Sequence, residues 1–118
     1  KDGTRGMPRF AGDEYYRVDG VRHPNPWFVT TLWLAQYYIA IAKNEKDFAR
    51  VKEWFLWITQ HALPSGVLSE QLHPTTGKQI SAAPLVWSHA EFVHTVVDYL
   101  EKLEEMGICI ACNPVNQK

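Results

Sequence analysis

From Trp27 to Ala42 the sequence reads WFVTTLWLAQYYIAIA, without one charged side chain. That run constrains the fold more than any other. It is shorter than the roughly 20 residues a bilayer span needs, and it is too rich in Thr, Gln and Tyr to serve as one. It reads instead as a soluble helix, with Asn25 as N-cap and Pro26 at the first helical position, where a missing N–H costs nothing. A helix that is apolar all round is normally buried all round. The rest of the chain must supply that cover, or something else must.

Two further helices are predicted. The first runs from about Lys46 to Leu63, with Phe48, Val51, Phe55, Ile58 and Ala62 on one stripe. Asn44 is its expected cap, Asp47 follows three residues on, and Pro64 stands past its end. The second runs from Ser88 to Met106 and opens on "SHAE", where Ser88 and Glu91 have capping-box spacing. Its stripe is Phe92, Val93, Val96, Val97, Leu100 and Leu103, with Glu101, Lys102, Glu104 and Glu105 toward water and Gly107 as its stop. Two amphipathic helices cover only part of an all-apolar neighbour. The first helix is therefore expected in the inner layer of a larger helical assembly, and a chain opening on Lys1 rather than Met suggests a piece of a longer or processed protein. On its own, such a chain is expected to self-associate through that helix.

The composition narrows the partners. With 118 residues, 46% of them hydrophobic and five Trp, the chain suits one domain with a core and not a disordered tail. A net charge of −1 with no basic stripe speaks against nucleic acid and against an anionic membrane surface. The pair Cys109 and Cys112 in "CIAC" suits half a zinc site, a redox pair, or neither. A structural zinc takes four ligands, and the histidines (His23, His61, His73, His89, His94) show no matching spacing, so no metal or cofactor is expected. Lys1 to Pro24, rich in Gly, Pro and Arg, reads as loop.

The segment SGVLSEQLHPTTGKQISAAPLVWSHAEF, Ser65 to Phe92, fits no simple element until its last residues. Loops this long in a compact domain are functional or disordered, and Val67, Leu68, Leu72, Ile80, Leu85, Val86 and Trp87 argue for packing. Chemical identity alone would leave Glu70 a solvated surface residue. Yet the order "SEQ", a Gly-containing turn, "SA" and "LVWSHA" resembles the C-terminal active-site segment of the glucoamylase family, the family 15 glycoside hydrolases. A second stretch, MPRFAGDEYYRVDGVRHPNPWFVTTLWLA, is similar to that family's arginine loop followed by "NPWF" opening an inner helix. Together the matches cover most of Met7 to Tyr99.

The resemblance implies an all-α fold, the C-terminal part of an (α/α)6 barrel: an arginine loop over 1–24, inner and outer helices over 25–63, an active-site loop over 64–87, a last helix over 88–106 and a tail over 107–118. It implies hydrolysis of α-glucosidic bonds with inversion, releasing glucose from starch-type α-glucans, malto-oligosaccharides or trehalose. Inversion needs two carboxyls roughly 6.5–9.5 Å apart, one an acid for the leaving oxygen and one a base for water. By motif position Glu70 matches the base, and a base that works ionised calls for hydrogen-bond donors around it. Arg9 in "MPRF" matches the substrate-binding arginine, whose fork can hold two hydroxyls; without the resemblance it would be a surface arginine. Trp87 in "LVWS" matches a tryptophan at the sugar site, although core packing at a helix start accounts for it equally well. Asp13 and Glu14 read as structural or supporting groups. Nothing here resembles the family's general acid, so the chain alone is expected to be inactive. The alternatives are a non-catalytic module of the same ancestry, binding sugar or a protein partner, and a small redox or metal module built on "CIAC".

Overall fold

A computed structural model describes residues 6–18, 20–110 and 112; the outermost parts of the expected first loop and of the tail lie outside them. Three helices carry the structure: α1 (Phe28–Ile41), α2 (Ala49–His61) and α3 (Val86–Glu105). A 3-10 turn over Glu45–Phe48 leads into α2, and two short antiparallel strands, β1 (Gln71–Leu72) and β2 (Gln79–Ile80), lie in the long loop between α2 and α3. Gln71 faces Ile80 and Leu72 faces Gln79. None of the described helices is long and apolar enough to cross a membrane.

The caps split into one success and two corrections. Asn44 takes the Lys46 N–H on its side chain while Asp47 receives the Asn44 N–H, the reciprocal box expected from the sequence. Asn25 caps nothing. It is buried, its amide donates to Tyr16 O and to Gln71 Oε1 (both 2.7 Å), and Trp27 after it is extended, so α1 begins at Phe28. Ser88 is no cap either. It lies inside α3, which starts at Val86, and its hydroxyl donates to Ser69 O at 2.8 Å. At the other end Gly107 stops α3 in the left-handed region (φ +65°), with Ile108 N donating back to Leu103 O.

Two apolar clusters hold the helices together. Near the start of α1, Phe28 and Leu32 pack with Trp57, Ile58, Leu68 and Leu72. Near its end, Ile39 and Ala42 pack with Phe48 and Val51, and Tyr99 and Leu103 of α3 close over them. The α2 stripe is broader than the spacing suggested, because Trp54 and Trp57 are buried beside Val51 and Ile58. In α3 the stripe is narrower, since Val93 is 62% exposed. One side of α1 stays uncovered: Trp33, Tyr37 and Ile41, one helical face, are all exposed. The complete burial expected of an all-apolar helix is therefore not reached within these residues.

Candidate active site

Arg9 and Glu70 are far apart in sequence and are brought together through Trp27. Trp27 forms antiparallel bridges to Met7 on one side and to Gln71 on the other. Trp27 N donates to Met7 O at 2.9 Å, and Leu72 N donates to Pro26 O at 2.9 Å. Two threonines of the first turn of α1 tie the outer segment down: Met7 N donates to Thr31 Oγ1 (2.9 Å), and Thr30 Oγ1 donates to Met7 O (2.6 Å). Extended backbone at Trp27 is thus required by the site, which is why the helix cannot start where Asn25–Pro26 suggested.

Arg9 sits over a floor of rings, its guanidinium 4.6 Å from the Trp27 ring centre and 4.8 Å from that of Tyr15. Its fork is already engaged. Nε and Nη2 donate to the two carboxylate oxygens of Asp13, each at 2.7 Å. Asp13 is 2% exposed and also accepts from Tyr15 N at 3.1 Å. The bidentate bond to Arg9 holds the Asp13 carboxyl below its ordinary value, against the opposing effect of burial. The same bond raises the Arg9 guanidinium, and the Glu70 carboxylate adds to that from farther off. Asp13 is therefore the supporting group its sequence setting implied. The fork itself is not open to two sugar hydroxyls; Nη1 is the nitrogen of Arg9 left without a hydrogen bond among the described residues.

Glu70 is half-buried, and its Oε2 takes two donors, Ser81 Oγ and Gln71 Nε2, the latter at 3.2 Å. Oε1 accepts nothing from the described residues. Ser81 holds its place in the left-handed region (φ +65°), a strained setting for a residue with a Cβ. Sequence reasoning passed over Ser81, although the "SA" pair it belongs to was among the motifs quoted; its pairing with Glu70 depends on the β1–β2 turn. The Gln71 side chain is fully buried and links Glu70 to Asn25.

The first turn of α3 fixes the residues just before Glu70. Leu85 N donates to Leu68 O, Leu68 N donates to His89 Nε2, and Ser88 Oγ donates to Ser69 O. Trp87, between them, is half exposed, and its contacts lie elsewhere: its ring meets Trp33 and its N–H goes to Glu91 Oε1 at 3.1 Å. It stands next to the Glu70 loop without bonding to Glu70 or Arg9. Cys109 and Cys112 are joined as a disulfide, and no group of three or more His, Cys, Asp or Glu able to hold a metal occurs among the described residues.

A half-buried carboxylate with one oxygen held by two donors and the other free can take a proton from a water. A cation over an aromatic floor stands in the segment bridged to Trp27, which is itself bridged to Gln71. The arrangement suits acid–base work.

Comparison with known proteins agrees. An uncharacterized glycosyl hydrolase of Methanocaldococcus jannaschii is 37% identical over 95 aligned positions, covering 66% of this chain and 15% of that protein. The chain thus spans about 15% of the length of the curated relative it matches. The profile of glycosyl hydrolases family 15 matches residues 38–97, a stretch that contains Glu70, Ser81 and Trp87 and begins after Arg9 and Trp27. On that match, half of the chain, this protein belongs to glycosyl hydrolases family 15.

Proposed function

We propose that this chain is the C-terminal part of the catalytic domain of an inverting glycoside hydrolase that releases glucose from α-glucans or trehalose. Glu70 is the general base, its free Oε1 drawing the proton from the attacking water. Arg9 holds a sugar hydroxyl through Nη1, Asp13 keeps the guanidinium in place, and Trp87 packs on the apolar face of the ring. The general acid comes from another part of the domain, with the two carboxyls roughly 6.5–9.5 Å apart. The observation that carries this reading is the Glu70 carboxylate, with Oε2 bonded by Ser81 and Gln71 and no bond to Oε1 from the described residues, joined through the Trp27 bridges to the segment that carries Arg9.

The partner surface follows from α1. The exposed Tyr37 and Ile41, toward the end of α1, form an apolar face that the remainder of the domain covers, and that a second copy covers when the chain is alone. Light scattering over a concentration series of the 118-residue chain should show association; a monomer throughout removes this part of the proposal.

The test of the reaction uses the complete catalytic domain with Glu70→Gln. Glucose release should fall by on the order of 10²–10⁴ while the fold persists. Proton NMR of the first product should show the β-anomer. Near-normal turnover in Glu70→Gln, or the α-anomer first, overturns the assignment, and a wild-type domain that binds these sugars without cleaving them leaves the non-catalytic module.

A further inference from the structure

We infer that Glu91 is a positioning residue, holding the indole of Trp87, against which Trp33 stands edge to face, as an aromatic corner that takes the apolar face of a pyranose beside the Glu70 loop. This rests on the reading of Trp87 as a sugar contact and adds Trp33 and Glu91 to it.

The two tryptophans come from different helices and meet edge to face, ring centres 5.6 Å apart at 64°. Both are half open to solvent, at 45% and 49%, whereas Trp27, Trp54 and Trp57 are buried. Side by side, the two half-exposed indoles leave ring face open at the surface. What distinguishes them from loose surface aromatics is the carboxylate behind them. Glu91 is 17% exposed; its Oε1 accepts from Trp87 Nε1, and its Oε2 accepts from Gln36 Nε2 at 2.9 Å. Gln36 also donates to Thr95 Oγ1 at 2.9 Å, so the carboxylate is fixed in the seam between α1 and α3. His94 stands 3.8 Å away on its outer side.

Burial pushes the Glu91 carboxyl up, but donation from Gln36, Trp87 and Trp33 together with the His94 charge outweighs it and leaves the group below its ordinary value. Indole N–H groups that reach an ionised acceptor make the stronger, charge-assisted kind of bond. With the polar edge of Trp87 satisfied by Glu91, what remains open is ring face, the part of an indole that packs on C–H groups. Holding those faces still before a ligand arrives removes an ordering cost of about 0.5–1.5 kcal/mol per side chain. The corner is close to the chemistry, because Ser88, next to Trp87, donates to the carbonyl of Ser69, next to Glu70.

The experiment compares Glu91→Ala, Glu91→Gln, Trp33→Ala, Trp87→Ala and Trp87→Phe in the complete catalytic domain, measuring kcat, KM and Tm with maltose and with trehalose. Glu91→Ala should raise KM about tenfold with kcat within about twofold, the pattern of lost binding rather than lost chemistry. Glu91→Gln, which keeps an acceptor oxygen, should recover most of that loss. In the Trp87→Phe background, where no N–H remains on that ring, Glu91→Ala should add less than it does alone. Trp33→Ala should raise KM as well. A wild-type domain that releases no glucose from either sugar overturns the proposed function and this inference with it. An unchanged KM in Trp87→Ala removes Trp87 from the sugar site and the inference too. A raised KM in Trp87→Ala beside wild-type KM in both Glu91 variants overturns the role of Glu91 alone. A fall in Tm with no change in KM for Glu91→Ala and Trp33→Ala makes the corner a packing surface and overturns it as well.

Discussion

The two irregular segments that meet at the site are held in different ways. Residues 62–85 are fixed largely by bonds to backbone: Gln79 Nε2 donates to His61 O and Val67 O, and α3 grips Leu68 and Ser69 from the other side. The segment around Arg9 adds charge to its neutral bonds at Met7 and Trp27, through one ion pair to a buried aspartate and a stack of aromatic rings. The carboxylate that would act on water thus sits in the segment fixed by neutral bonds, and the cation that would meet the substrate sits in the segment that an ion pair also holds. A base must stay within tenths of an ångström of its water, whereas a binding arginine can adjust as substrate enters.

Attacking the ion pair gives the larger effect. Asp13→Ala removes a buried acceptor that serves Arg9 and Tyr15 N together. It should lower the midpoint of a denaturant titration, because the Arg9 fork and Tyr15 N lose the carboxylate they share. Arg9→Lys should keep the charge and lose the two-point geometry, weakening sugar binding several-fold in the complete domain while leaving the 62–85 segment unchanged. Equal kinetics for Arg9→Lys and wild type would return Arg9 to an ordinary surface residue.

Attacking the neutral segment should cost less stability and more precision. Ser88→Ala leaves the Ser69 carbonyl unpaired and should cost about 1 kcal/mol. Its effect on kcat in the complete domain should exceed its effect on KM. A change confined to KM would show that the α3 clamp does not set Glu70.

Acid gives the smallest and most local effect. Asp13 has a depressed folded value, so its contribution is fully present above the ordinary value of 3.8 and is lost as pH falls through the lower folded one. Amide exchange at Tyr15 and Trp27 should quicken in that window ahead of exchange at Leu72 and Leu85. Simultaneous loss at all four would mean the two segments are not separately held.

What could be read from the residues divides along the range of the interaction. The Asn44–Asp47 box was legible because both partners sit within one turn. Ser88–Glu91 has the same spacing and fails, because Ser69 O and Gln36 Nε2 offer those side chains partners from other segments. Asn25 fails likewise, claimed by Gln71 across 46 positions of sequence. The uncharged run gave α1 but could not say which face stays open, since that depends on where α2 and α3 dock. The family resemblance pointed to Glu70, Arg9 and Trp87; the Ser81 donor depends on the β1–β2 turn, while the Arg9–Asp13 and Trp87–Glu91 bonds each span four positions, the first in irregular backbone that no helical spacing announces.

Trp27 also has a kinetic meaning. The only backbone route joining the Arg9 segment to the Glu70 segment among the described residues runs through its two bridges, and the bridge from Trp27 to Gln71 closes a loop that holds both α1 and α2. Contacts that wait on such closure form after the folding barrier more often than before it. Weakening the bridges should then hasten unfolding while refolding keeps its pace. The site, last to assemble, would be first to come apart, and its lifetime would mark how long each folded molecule stays competent.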